Sequence, residues 1–205
     1  MKVLLTGFEP FGQEQVNPSW EAVKALPELM EGVEIVKMCL PVSFNKAGMV
    51  LEQAICLYQP DVVLSVGQGS GRCEISVERI AINLADSKKP DNDGYQPYEC
   101  QLRENAPNAY FCNLSVKRLV EAIHEEGIPA TISNSAGLYV CNSVFFTALH
   151  LVNSKYPNMQ AGFLHVPYLP CQVVEKSKQP SMTTETVVQA LTAVIRTLVS
   201  CNNMV

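Results

Sequence analysis

The stretch DVVLSVGQ, Asp61 to Gln68, decides how this chain reads. It is a short apolar run after Pro60, bounded by turn residues, which is how a strand covered by other elements looks in sequence. Upstream, Val33 to Leu40 is strand-like, and Ser43 is placed to cap a helix running to about Tyr58. Further back, Val3 to Thr6 reads as a short buried strand. A loop rich in Gly, Pro and Phe follows it, and Asn17 as cap with Pro18 in the first turn opens a helix. Downstream, EISVERIAIN (Glu74 to Asn83) reads as a strand, and Leu84 to Ala109, with PDNDGYQP, as a long loop of the kind that usually carries function. Ser115 caps a helix ending at Gly127, ATISNS is a strand, and Cys141 to about Asn153 is helical. QAGFLHVP is a strand, and Thr183 or Thr184 opens a last helix reaching about Ser200. This alternation predicts an α/β fold: a single domain over residues 1–205, built as a three-layer sandwich with a mainly parallel, twisted central sheet and helices on both faces. Ligands of such folds meet loops at the carboxyl ends of the strands.

Composition narrows the function. The 205 residues are 47% hydrophobic and 17% charged, which is globular, and no apolar run is long enough to cross a bilayer. Lys and Arg number 15 against 20 Asp and Glu, a formal charge of −5 with the basic residues scattered, so no nucleic-acid partner is expected. The opening MKVLLTGFEPFG lacks the apolar core and cleavage site of a secretory signal. The eight cysteines form no C-x-x-C and read as free thiols in a reducing cytoplasm. Cys and His occur singly, without the close spacings of a metal site, so neither metal nor organic cofactor is expected.

Within SAGLYVCNSVFFTALH, Ser135 to His150, Cys141 falls where a helix begins. The positive end of the helix dipole favours thiolate there, and the first N–H groups can stabilise an oxyanion. The alternative is a small buried hydrophobe. Of the three histidines, His124 sits among glutamates at a helix end, and His150 lies nine residues beyond Cys141, on the far side of the same helix. His165, in GFLHVPYLP, ends an apolar strand at the carboxyl edge of the sheet and is the best base for Cys141, though backbone carbonyls could equally satisfy it. In EISVERIAIN the apolar parity slips at Glu78 and Arg79. Either a bulge aims Glu78 into a pocket, where it would orient the imidazole, or the two form a solvent-exposed pair. GQGSGR, Gly67 to Arg72, is followed by a strand and is no dinucleotide fingerprint; its glycines would let backbone amides approach a small ligand. Cys73, beside Arg72, is the rival thiol.

TGFEPFG, NPSWEAV, VGQGSGR, SVERIAIN, PDNDGYQP, AYFCNLSVK, SAGLYVCNSVFF and GFLHVPYLP together resemble, in the same order, the type I pyroglutamyl peptidases, also called pyrrolidone-carboxylate peptidases. The resemblance implies a catalytic glutamate at Glu78, a nucleophile at Cys141 and a histidine at His165. It further implies removal of an N-terminal pyroglutamyl residue from peptides without metal or cofactor, by a cytoplasmic enzyme that is usually a homotetramer. Phe8 and Phe11 match positions flanking the lactam ring, Asn17 and Gln68 lie where polar contacts are expected, and Tyr139 falls at an aromatic position. Two departures stand out: Gln13 after Gly12, and Lys88 followed by Lys89 where relatives commonly carry an arginine. The competing functions are a lactam- or peptide-binding protein without turnover, and a nucleoside phosphorylase on a similar scaffold.

Overall fold

A computed structural model describes residues 1–202; the final three positions of the expected 1–205 domain lie outside the described residues. The elements run β1 (Lys2–Phe8), α1 (Pro18–Ala25), β2 (Leu29–Met30), β3 (Val33–Leu40), α2 (Ala47–Tyr58), β4 (Val62–Gln68), β5 (Ile75–Glu78), β6 (Ile80–Ile82) and β7 (Ala109–Phe111). They continue with α3 (Val116–Glu125), β8 (Ala130–Ser133), α4 (Val140–Ser154), β9 (Gln160–Val166), a 3-10 turn at Pro170–Gln172 and α5 (Thr184–Asn202). The main sheet has the order β2-β3-β1-β4-β9-β5-β8, and β6 and β7 form a separate two-stranded sheet.

β3, β1, β4 and β9 are mutually parallel. β5 runs antiparallel to β9 and parallel to β8, so the last two strands point the other way, as does the short β2 against β3. One face packs Val3, Leu5, Leu64, Val66, Val77 and Leu164 against apolar side chains of α1, α3 and α5. The other packs Leu4, Phe8, Val63, Ala161 and Phe163 against α2 and α4. Period-2 alternation thus sends neighbouring residues of each strand into two different cores.

The sequence reading needs correction in three places. The helix expected from Ser43 starts at Ala47. The Ser43 carbonyl does accept from the Lys46 and Ala47 amides, but its hydroxyl donates to Asp93 Oδ2 at 2.6 Å, far along the chain. EISVERIAIN is neither one strand nor a bulged one: β5 stops at Glu78, and β6 restarts in the second sheet. Arg79 makes the crossing, its N–H donating to Ser133 O at 2.8 Å and its carbonyl accepting from the Cys112 amide at 2.8 Å. Two short strands, β2 and β7, were not expected.

The long loop predicted from Leu84 is present and is built around Asp91. This buried carboxylate accepts from the amides of Phe44, Asp93 and Tyr95 at 2.9–3.0 Å. Asn92 Nδ2 donates to Glu9 Oε1 and to Pro10 O. These bonds fasten the loop to the segments after β1 and β3, beside the carboxyl edge of the parallel strands.

Candidate active site

Residue parity on β9 and β5 builds the centre. Ser76 pairs with His165, so by the same register Glu78 falls opposite Phe163, diagonal to His165 and on its face of the sheet. The side chains meet: His165 Nδ1–H donates to Glu78 Oε1 at 2.7 Å, which leaves Nε2 as the basic nitrogen. Glu78 is wholly buried, correcting the solvent-exposed alternative. A buried carboxylate needs compensation, and Arg72 supplies it, with Nη2 3.0 Å from the same Oε1. Glu78 Oε2 is buried without a hydrogen-bond partner.

Cys141 is the second residue of α4, on the first turn whose N–H groups have no intrahelical acceptor. It lies against β4 because Gly67 has no side chain: a Cβ there would come within 2.9 Å of the Cys141 Sγ and 2.8 Å of Phe163 Cζ. The next residue, Asn142, holds this end of α4 in place. Its Nδ2 donates to Ile82 O and Leu84 O at 2.9 and 3.0 Å, and its Oδ1 accepts from the Ile82 amide at 3.0 Å. The side-chain amide therefore serves β6 as a neighbouring strand would.

The helix end is not the only influence on the thiol. Burial first, then the Glu78 charge, push Cys141 up to about 12, with Arg72 and the residue's own N–H pulling the other way. A helix terminus contributes about 0.3–1 kcal/mol, at most ~2, and works against the desolvation of a thiol that is part-buried beside a carboxylate. His165 is held below its ordinary value, by burial first, against the opposing hydrogen bond and charge of Glu78, with Arg72 adding to the lowering. Both shifts favour the uncharged thiol and the uncharged imidazole.

Cys141 and His165 open onto one cleft of about 1030 Å³, whose walls also include Phe8, Phe11, Asn17, Gln68 and Tyr139. Glu78 lies behind His165 rather than on the cleft surface. Phe8 ends β1, with its ring 6.3 Å from that of Phe163. Phe11 and Tyr139 face each other at 6.1 Å, and the Tyr139 hydroxyl donates to Pro90 O at 2.9 Å, tying the wall to the long loop. Gln68 Oε1 accepts from Gln172 Nε2 at 3.0 Å, while its own Nε2 is buried with no partner, a donor left for a ligand. Asn17 is largely committed to structure: Oδ1 accepts from the Ser19 amide and hydroxyl, and Nδ2 donates to Glu9 O. Gln13, Lys88 and Lys89 sit on the same cleft.

The remaining candidates lie apart. Cys73 is exposed and is not on the cleft wall. His150 Nδ1 is 3.0 Å from the Tyr110 hydroxyl, and His124 Nε2 is 2.8 Å from Ala130 O. Sequence reasoning missed two residues, Arg72 and Asn142. The signal for Arg72 was its place at the end of GQGSGR, since Gly69 is bare where the arginine stem passes.

A thiol at a helix start, an imidazole and a carboxylate behind it form the constellation of a thiol hydrolase on an α/β sandwich. The family model for pyroglutamyl peptidase matches residues 1–201. The pyrrolidone-carboxylate peptidase of Thermosipho africanus is 52% identical over 198 residues, covering 97% of each chain, and that of Clostridium perfringens is 46% identical over 203 residues, covering 99% of this chain and 95% of its own. The crystal structure of pyroglutamyl peptidase I from Bacillus amyloliquefaciens superimposes with a TM-score of 0.91 at 44% identity, over 94% of this chain and 92% of that one. A mutant pyrrolidone carboxyl peptidase from Pyrococcus furiosus does so with a TM-score of 0.94 at 40% identity over the full length of both. The chain belongs to the pyroglutamyl peptidase family.

Proposed function

We propose that this protein is a cysteine exopeptidase that removes N-terminal pyroglutamyl residues from peptides, with Cys141 as nucleophile, His165 as general base and acid, and Glu78 as the carboxylate that orients the imidazole. The buried 2.7 Å bond from His165 to Glu78, behind a cleft that also holds Cys141, is the observation that carries this reading. Since both partners favour the uncharged form, His165 takes the thiol proton as Sγ attacks the pyroglutamyl carbonyl, and Glu78 stabilises the imidazolium that forms. First-turn N–H groups of α4 face the developing oxyanion. The imidazolium then protonates the departing amine, leaving a thioester on Cys141. Water, deprotonated by His165, hydrolyses the thioester and frees pyroglutamate.

The lactam suits the pocket. It carries no charge, so aromatic walls from Phe8, Phe11 and Tyr139 hold its ring, and the unpartnered Gln68 Nε2 offers a donor to an uncharged carbonyl. Asn17 contributes mainly shape, given its bonds within the protein. No helix among the described residues is long and apolar enough to cross a membrane. A cytoplasmic location fits the exposed free thiols of Cys39, Cys56, Cys73 and Cys171. Assembly as a homotetramer belongs to the same reading, and sedimentation tests it.

The decisive experiment is hydrolysis of a pyroglutamyl-anilide by the native protein and by Cys141→Ala. The native protein releases pyroglutamate with turnover, and the variant loses at least ~1,000-fold in kcat while keeping its melting temperature. Stoichiometric binding without product would identify a binding protein instead, and full activity in the variant would overturn the nucleophile.

A further inference from the structure

Arg72 carries more of this site than a surface cation does. Nη2 lies 3.0 Å from Glu78 Oε1, the oxygen that accepts from His165, and 3.3 Å from Ser135 O. Ser135 belongs to the segment between β8 and α4 that delivers Cys141. The arginine stem reaches this position by passing over Gly69. A Cβ at Gly69 would meet Arg72 Cδ at 2.6 Å, Arg72 Nε at 3.0 Å and His165 Cβ at 3.1 Å. One guanidinium therefore spans the link 69–74, the carboxylate at the end of β5 and the approach to the nucleophile's helix.

We infer that Arg72 is a positioning residue for the catalytic pair: it balances the Glu78 charge behind His165, and it braces the 134–139 segment ahead of Cys141. This inference rests on the function proposed above. The charged groups acting on His165 are Glu78 from β5 and Arg72 from the 69–74 link, and the titratable Cys141 of α4 lines the same cleft; the Phe163 ring, 4.9 Å away, adds no charge. Without Arg72, the imidazole would face a net anion and bind its proton more tightly. The cation also lowers both His165 and Cys141, in keeping with this placement. Both contacts are made from one nitrogen, Nη2, and lysine, whose side chain is one bond shorter, could supply the charge but does not carry a nitrogen to that position.

The test compares full-length native protein with Arg72→Met and Arg72→Lys, following the His165 imidazole by NMR against pH and, in parallel, kcat/KM against pH. The expected result in Arg72→Met is a His165 midpoint raised by about 1 pH unit, with the acid limb of kcat/KM moving with it. In Arg72→Lys the midpoint stays near native, but kcat falls about tenfold, since the bracing bond to Ser135 O is lost. An unmoved midpoint in folded Arg72→Met overturns the charge-balance role. Native kcat in Arg72→Lys overturns the bracing role, and that variant decides alone should Arg72→Met fail to fold. The NMR titration needs no turnover, so a native protein inactive on pyroglutamyl-anilides would refute the proposed function while leaving the Arg72 result readable.

Discussion

Leu164 and His165 are neighbours on β9, both nearly inaccessible, yet they belong to different environments. Leu164 points into the core shared by α1, α3 and α5, with Val66, Val77 and Val166 in the same cluster. His165 points to the α4 side, where buried polar groups gather along the strands: Thr6 Oγ1 donates to Ser65 Oγ at 2.9 Å, and His165 bonds Glu78. Alternation thus sets an apolar core residue and a reactive one side by side on the same strand. Both faces gain from the apolar groups they remove from water, and the buried polar groups around His165 are tolerable because most of them find partners.

That contrast can be broken by experiment. Glu78→Gln should cost the most, about 100- to 10,000-fold in kcat, because a neutral amide cannot hold the imidazolium; steady-state kinetics check it, and a loss under threefold would remove the chemistry from this face. Leu164→Ala should act the other way, lowering the free energy of unfolding by about 2–5 kcal/mol in denaturant titration, with kcat little changed where the protein remains folded. A variant with native stability and crippled kcat would erase the distinction. The smallest effect is in pH. Burial holds His165 below its ordinary 6.5, so the neutral form is the one folding favours. Its contribution to stability is full above that value and drains away as pH falls below it. The acid limb of kcat/KM should accordingly lie below pH 6.5, and a limb at or above that value would place His165 in a more solvated setting than β9 provides.

Much of this was legible in the chain. DVVLSVGQ and QAGFLHVP became β4 and β9, and the segments singled out for Cys141, His165 and Glu78 are brought to one place. What was not legible depended on distant partners. The start of α2 moved because Asp93 takes the Ser43 hydroxyl. The parity slip in EISVERIAIN marked a departure to a second sheet, since all four residues of β5 are buried and alternation carries no signal there. Strand direction is equally invisible locally, which hid the reversal of β5 and β8. The opposing pull on the thiol was not legible because a helix dipole can be read from position, whereas part-burial beside Glu78 cannot.

The reversal of β5 has a consequence for how this enzyme can vary in length. Two parallel strands need a long crossover, but β4 and β5 run in opposite senses and are joined over the end of β9 by residues 69–74 alone. One added residue in that span would lengthen it by about 3.3 Å, as much as the whole reach from guanidinium to carboxylate. The 84–108 excursion, by contrast, has slack away from Asp91. Relatives should therefore differ freely in the size of the long excursion and hardly at all in the short one.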